Sequence, residues 1–273
     1  MRGLSISRAW DESKAILTRD GRLYVSVALA LVAFPALITG IVNPRGMGEA
    51  ATPIWVDAVT LVASLVALAG QLALIRLALG PSVTVGQAIS HGLRRMPIYL
   101  LAGIIIVVGL FVVAVVLGVI LAALGVPITG TKLPATPPVV LAVILFLAVA
   151  IYVGVRMAMS APAASAEPIG PIAILRRSFE MTHGHFWKLL GFLLVYFIAA
   201  LVVLVGITAA IGVPVGLAFG RIEPMSLSAL IVALIHSLLN AALTAVLAVM
   251  LARIYAQLAG GGSAESGVPI TGI

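Results

Sequence analysis

Few side chains in this sequence can do chemistry, and their spacing limits what that chemistry is. Glu180-x-x-His183-x-His185 has the residue types of a metal-ligand set. Two histidines two apart do not share a helical face, although a turn at Gly184 would let them converge. The simpler reading is a helix ended by Gly184 and joined by polar residues to the next apolar stretch. It is preferred, so no metal and no cofactor is expected. His236, Asn240 and Thr244 recur at i, i+4 and i+8, and Asp57, Thr60, Ser64 and Gln71 fall largely on another stripe. Ionisable groups within apolar stretches can mark solute or proton paths. Polar side chains also join helices, at roughly 0.6–2 kcal/mol each. The joining role is favoured for Gln71, His236 and Asn240, while Asp57 sits about one turn from the end of its stretch and can be solvated.

The nine acidic residues form no close pair inside an apolar stretch. No nucleophile elbow and no phosphate-cradling glycine loop occurs. No catalytic residue is therefore expected. The arginines are more telling. Arg76, Arg156 and Arg253 each close an apolar stretch, and Arg94, Arg95, Arg176 and Arg177 lie in amphipathic segments that precede one. Guanidinium pairs bidentately with phosphate, so these are candidate contacts for lipid phosphates, with convergence of Arg76, Arg156 and Arg253 as the sharper expectation. Simple anchoring of helix ends is the competing reading. Nucleic acid is not an expected partner, because no clustered basic face carries aromatic platforms.

These side chains are carried by an unusually apolar chain. Of 273 residues 62% are hydrophobic and 9% charged, with no cysteine and a net charge of +7. A soluble domain carries roughly a quarter charged residues, so the excess apolar surface must face lipid. Uncharged runs at Leu23–Val42, Ala58–Ile75, Ile98–Leu124, Val139–Val155, Leu189–Phe219 and Leu227–Ala252 each approach the roughly 20 residues a bilayer core needs. They are continuous rather than alternating, which means helices. The expected fold is all-α, with six transmembrane helices.

Charge sets the expected orientation. Arg2, Arg8, Lys14, Arg19, Arg22, Arg76, Arg94, Arg95, Arg156, Arg176, Arg177, Lys188 and Arg253 flank one side, and only Arg45, Lys132 and Arg221 the other. The positive-inside rule puts both termini in the cytoplasm of a bacterial-type inner membrane. No cleavable signal peptide is read at the start. Tyr24, Tyr99 and Trp187 open spans, where amphipathic rings favour the interface. The fifth run would reach roughly 46 Å at 1.5 Å per residue, too long for the bilayer. A kink at Pro214, or an end near Ile211, is therefore expected. Gly212, Gly216 and Gly220 are spaced for close helix approach, within the chain or between copies.

The elements read as three copies of one unit, at about 1–80, 81–160 and 161–258. Each is a basic amphipathic helix, a span, an outer loop and a span ending in arginine. Together they make one membrane domain, 1–260, followed by a flexible cytoplasmic tail, 261–273. Ile6, Ala9, Trp10 and Leu17 share a face in the first amphipathic helix. Val85, Ala88, Ile89, Leu93 and Met96 do so in the second, where Thr84 and Gln87 can form a capping box. The third sets Ile172, Leu175 and Phe179 against Arg176, Arg177 and Glu180.

The stretch Arg156-Met-Ala-Met-Ser-Ala-Pro162, with Glu167 and then Ile174-Leu-Arg-Arg-Ser-Phe-Glu180-Met-Thr-His-Gly184-His-Phe-Trp-Lys-Leu-Leu-Gly191, resembles the membrane domain of some bacterial glycerophosphoryl diester phosphodiesterases and of YciC-like multispan proteins. The likeness extends to Ser82–Gly103 and Ser7–Val27. It implies a polytopic bacterial membrane module. The His-Arg-Gly step and acidic metal-binding pair of the phosphodiesterase are missing, so the reaction does not carry over. The expected function is a non-enzymatic scaffold or accessory subunit. Its expected partners are anionic lipid headgroups at the cytoplasmic face and a membrane protein or second copy. A transporter or channel for a small or lipid-like solute is the alternative.

Overall fold

A computed structural model describes residues 4–44, 53–80, 83–126, 135–220 and 223–266, with side chains to residue 260. In order it contains α1 (Ile6–Ala28), a π-turn (Leu29–Ala33), α2 (Phe34–Val42), α3 (Ile54–Leu79), α4 (Val85–Ala123), α5 (Pro137–Arg156), α6 (Ser160–Ala166), α7 (Pro171–Thr182), α8 (Phe186–Phe219) and α9 (Leu227–Ser266). No strand occurs among the described residues. Six helical rods are long and apolar enough to cross a membrane, running over Ile6–Val42, Ile54–Leu79, Val85–Ala123, Pro137–Ala166, Phe186–Phe219 and Leu227–Gly260. Each expected span falls inside one of them, except that the third runs one residue past Ala123. This is the architecture of a multi-pass membrane protein. Arg45, Lys132 and Arg221, the cations assigned to the opposite side, lie outside the described residues.

The first two amphipathic segments are not separate helices. Ser5 accepts the Arg8 N–H to start α1, and the backbone leaves helical values only at Asp20 (φ −113°, ψ 18°) before the span continues. Thr84 and Gln87 form the expected capping box, and the 39-residue α4 then runs through Pro97 into its span. Only the third amphipathic segment, α7, stands alone. It is ended by Gly184 at φ 79°, a left-handed conformation that glycine adopts without steric cost.

Three further differences have local causes. Pro35 has no N–H to give the Leu31 carbonyl one turn back. The helix widens ahead of it, with the Phe34 N–H reaching Leu29 O across a π-turn. Helix α8 carries Pro214 without interruption to Phe219 and stops at Gly220 (φ 87°), so the end near Ile211 does not occur. Helix α9 continues to Ser266, past the expected boundary at residue 260. Residues 267–273 of the expected flexible tail lie outside the described residues.

The rods α1–α2, α3 and α9 pack mutually, α4 lies on α3, α8 lies on α9, and α5 bridges α4 and α8. Between α5 and α7 the short α6 is buried from Ser160 to Ser165 and packs against α3 and α4. The core is densest at the arginine end, where Leu72, Leu74, Ile75, Met159, Ile174, Leu189, Val249, Met250 and Ile254 are fully buried. Tyr24 is buried there too, at 3% exposure, rather than lying at the lipid interface as expected. Helix α7 faces this core through Ile174, Ser178 and Thr182, all fully buried, while Ile172 and Phe179 of the expected apolar face are exposed. In their spans α4, α5 and α8 expose most of their apolar surface, including Val107, Leu141 and Val195.

Close helix approach occurs at other glycines than those expected. A Cβ on Gly70 would lie 2.6 Å from Leu31 Cβ, on Gly40 2.8 Å from Ala233 Cβ, and on Gly92 2.4 Å from the Ala69 carbonyl oxygen. Gly212 has only Val232 nearby at 3.9 Å, and Gly216 and Gly220 face open space, so this series does not pack helices within the chain. Replacing Gly92 with Ala must push α4 off α3, because the obstacle is backbone. Overpacking of this kind costs about 1–3 kcal/mol. Thermal unfolding in detergent should therefore show G92A clearly destabilised and G103A, whose Cβ meets nothing within 4 Å, unchanged. Equal melting of the two would refute the close α3–α4 crossing.

Candidate functional site

The arginine end carries a layer of polar contacts between helices distant in sequence. Arg253 of α9 donates from Nε to Glu12 Oε2 of α1 at 2.8 Å, and its Nη1 lies 3.5 Å from the Ala78 carbonyl of α3. A cleft of about 670 Å³ opens beside this pair, with Arg19, Asp20 and Tyr24 also on its wall. Glu167 Oε1 accepts both Arg177 Nε at 3.0 Å and the Tyr255 hydroxyl at 2.5 Å, tying α7 and α9 to the loop after α6. Gln257 accepts the Ser5 N–H at 3.2 Å. The Ser178 hydroxyl donates to Arg156 O at 2.7 Å, satisfying a carbonyl at the end of α5.

These contacts sort the candidate arginines into three kinds. Arg177 and Arg253 are held by the carboxylates just named, and Arg176 pairs with Glu180 at 2.8 Å on the exposed face of α7. Arg156 is caged by aromatic rings, with its guanidinium carbon 4.6 Å from the Phe179 centroid, 5.2 Å from Tyr152 and 5.7 Å from Phe186. Such rings attract a cation through their negative faces. Its Nε and Nη1 are buried and find no acceptor among the described residues. Arg76, Arg94 and Arg95 have no carboxylate partner among the described residues. Arg156 and Arg253 thus have different partners, aromatic rings for one and a carboxylate for the other. The arginines that do gather are Arg76, Arg94 and Arg95.

They gather around His91. Its Nε2 lies 2.9 Å from the Ser165 carbonyl oxygen, which accepts, so the neutral ring carries its proton there and leaves Nδ1 bare. Ser165 is itself fixed by donating to Leu72 O at 3.2 Å. His91 precedes the α4 span, and its pKa is lowered from the ordinary 6.5. Burial is the main cause, followed by the charge of Arg76. The Ser165 hydrogen bond opposes the shift, while Arg95 and Arg94 add to it. Beside the ring is a depression of about 410 Å³ lined by Gly86, Gln87, Ser90, His91 and Arg94. Gln87 uses its Oε1 on the Thr84 N–H, which leaves its amide NH₂ as a donor. The depression is lined by donors, a cation and a neutral imidazole, with no acid.

The intramembrane candidates lie on two helices, Asp57 and Gln71 on α3 and His236 and Asn240 on α9. His236 Nδ1 meets Thr208 Oγ1 of α8 at 3.4 Å. Gln71 and Asn240 are half-buried, with no hydrogen bond to His236 or to each other among the described residues. Asp57 is exposed in the first turn of α3. The Tyr196 hydroxyl, donating to Leu243 O at 2.6 Å, is a joint between α8 and α9 that sequence reasoning missed. Glu180, His183 and His185 do not turn toward one point. Glu180 is on Arg176, and His185 Nδ1 is 3.3 Å from the His183 carbonyl. Among the described residues no three acidic or imidazole groups could hold an ion.

A family model described as a domain of unknown function, DUF7847, matches residues 4–258. The chain belongs to the DUF7847 family. The match takes in the whole polar layer from Ser5 to Gln257, so the cationic group around His91 is part of the DUF7847 domain itself. No curated protein and no solved structure matches the chain.

Because His91 is held below 6.5 in the folded chain, the unfolded chain takes up its proton first as pH falls. The contribution of the neutral ring is complete above the unfolded value and is lost as pH drops toward the folded pKa. Melting temperature in detergent should fall as pH goes from about 8 to about 5, through the ordinary histidine pKa of about 6.5. H91Q should flatten that part of the curve. An identical slope in wild type and H91Q would show that His91 is not the group responsible.

Proposed function

We propose that this protein is a non-enzymatic membrane scaffold or accessory subunit, with its arginine end in the cytoplasm against anionic headgroups and its outer helices open to a membrane partner. The observation that carries this reading is the unequal packing of the six rods. The α1–α2, α3 and α9 group is a dense centre, whereas α4, α5 and α8 leave Val107 (66% exposed), Leu141 (67%) and Val195 (68%) uncovered in their spans. Helices covered on only part of their surface offer the rest to lipid or to another protein.

The arginine end supports the lipid half of the reading. Basic residues near an anionic leaflet contribute on the order of 1 kcal/mol each, and Arg94 is exposed there along with Arg8, Lys14 and Arg22. The three-unit construction also belongs to this proposal. It is supported by the amphipathic starts of α1 and α4 and by α7, each of which leads into a span. The likeness to phosphodiesterase membrane domains and YciC-like proteins fits the same picture of a module that serves another activity. The transporter alternative draws on His236, Gln71 and Asn240, which share no hydrogen bond with one another among the described residues.

Photo-reactive residues placed singly at Val107, Leu141 and Val195 should give, in native membranes, a discrete protein adduct from at least one position. The adduct would contain a second copy or one partner. Adducts with lipid alone from all three positions would overturn the scaffold reading.

A further inference from the structure

The depression at the start of α4 has a composition that a mere anchoring belt does not require. Arg94 and His91 line it with Ser90 and Gln87, and Arg76 of α3 and Arg95 stand close enough to act on the His91 ring. Among the described residues, three carboxylates that might neutralise them are engaged elsewhere. Glu167, the nearest in sequence to the Ser165 carbonyl on His91, is bonded by Arg177 and Tyr255. Glu12 is on Arg253, and Glu180 is on Arg176. Like charges gathered without a counter-charge repel, and no ion pair among the described residues relieves them.

The neutral groups point the same way. Ser90 makes no hydrogen bond among the described residues that would occupy its hydroxyl, and the Gln87 amide NH₂ is left over after the capping box is made. The Gln87 and Ala88 amides of α4 are already served by the hydroxyl and the carbonyl of Thr84. What distinguishes the place is therefore the side-chain set rather than a bare helix terminus. Gly86 adds room, since nothing lies within 4 Å of the Cβ it lacks. Guanidinium, hydroxyl and amide donors around an acid-free hollow match a tetrahedral oxyanion. Arginine is well suited to hold one because its planar fork meets two oxygens at once.

We infer that this depression binds a phosphate group, a monoester in preference to a diester, held by Arg94 on its wall, with Ser90 and Gln87 as neutral donors and with Arg95 and Arg76 adding positive charge close by. A monoester carries nearly two negative charges at neutral pH and a diester one, so the uncompensated arginines favour the former. The phosphate can belong to a lipid headgroup or to a water-soluble phosphomonoester. The chemistry is the same for both. The inference deepens the lipid half of the proposed function and does not depend on the protein partner, whose test by photo-crosslinking stands apart.

The test uses the full chain in phosphatidylcholine nanodiscs. One arm adds phosphatidic acid, with phosphatidylglycerol as the diester comparison, and reads retained lipid by native mass spectrometry. The other adds glycerol phosphate in solution and reads binding by calorimetry. The variants are R94Q/R95Q, the charge-matched control R8Q/R22Q on exposed positions of α1, and S90L, which fills the depression without changing charge. Wild type and R8Q/R22Q should bind the monoester alike, and R94Q/R95Q and S90L should each bind about tenfold more weakly. Binding in the first arm alone makes the ligand a lipid, and in the second alone a soluble phosphate. The inference is overturned if both double variants lose binding equally, if the diester binds as well as the monoester, or if neither arm shows binding.

Discussion

In hydrocarbon, helices gain nothing by turning their apolar faces from lipid toward one another, and this constraint governs the rest of the structure. What remains to hold six rods together is close contact where side chains are small, and hydrogen bonds where polar groups can be shared. Close contacts gather on α3, which also accepts two hydrogen bonds from other elements. Its Gly70 receives the widened turn at Leu31, Ala69 receives Gly92 of α4, and Leu72 O receives the Ser165 hydroxyl of α6. The small, buried α6 is intelligible in the same terms. Alanines and serines let its backbone sit among α3, α4 and α7 without prying them apart.

The spans were legible because a continuous apolar run has one reading in lipid, and the capping box at Thr84–Gln87 and the turn at Gly184 were legible because they depend on neighbouring residues alone. Other features depend on what lies across the interface. The spacing of Gly212, Gly216 and Gly220 describes one face of α8, and that face meets little within the chain. The inner stripe of α7 was misread because two of its members, Ser178 and Thr182, are polar. Their hydroxyls are bonded to the Ser178 and Arg156 carbonyls, so they bury without an unpaired group. Helix α6 gave no periodic signal, since all its first six side chains are buried.

The site was legible residue by residue and not as a group. Each of Arg76, Arg94 and Arg95 stood out as a cation beside a span, but membership of a cluster depends on which acids are spent elsewhere. Glu12 and Arg253 are 241 positions apart, and Glu167 and Tyr255 are 88 apart. No local pattern discloses such pairings. With Glu12, Glu167 and Glu180 held by other cations, Arg76, Arg94 and Arg95 are left near His91. The repeated position of Arg76, Arg156 and Arg253 at span ends reflects where they enter the membrane boundary, whereas their roles follow from their partners.

That leftover charge bears on where the protein lives as much as on what it binds. In water, three arginines near a neutral histidine would be relieved by solvent and salt over a Debye length of about 8 Å. At a membrane boundary part of that solvent is replaced by lipid, and the relief must come from anions arrayed in the headgroup layer. On the proposed orientation, a fold that assigns its few acids to bridges between α1, α7 and α9, and leaves the start of α4 positive, would draw relief from the surface it inserts beside. The same charge would then both favour an anionic leaflet and hold a phosphate group. Orientation and ligand recognition then rest on one electrostatic imbalance.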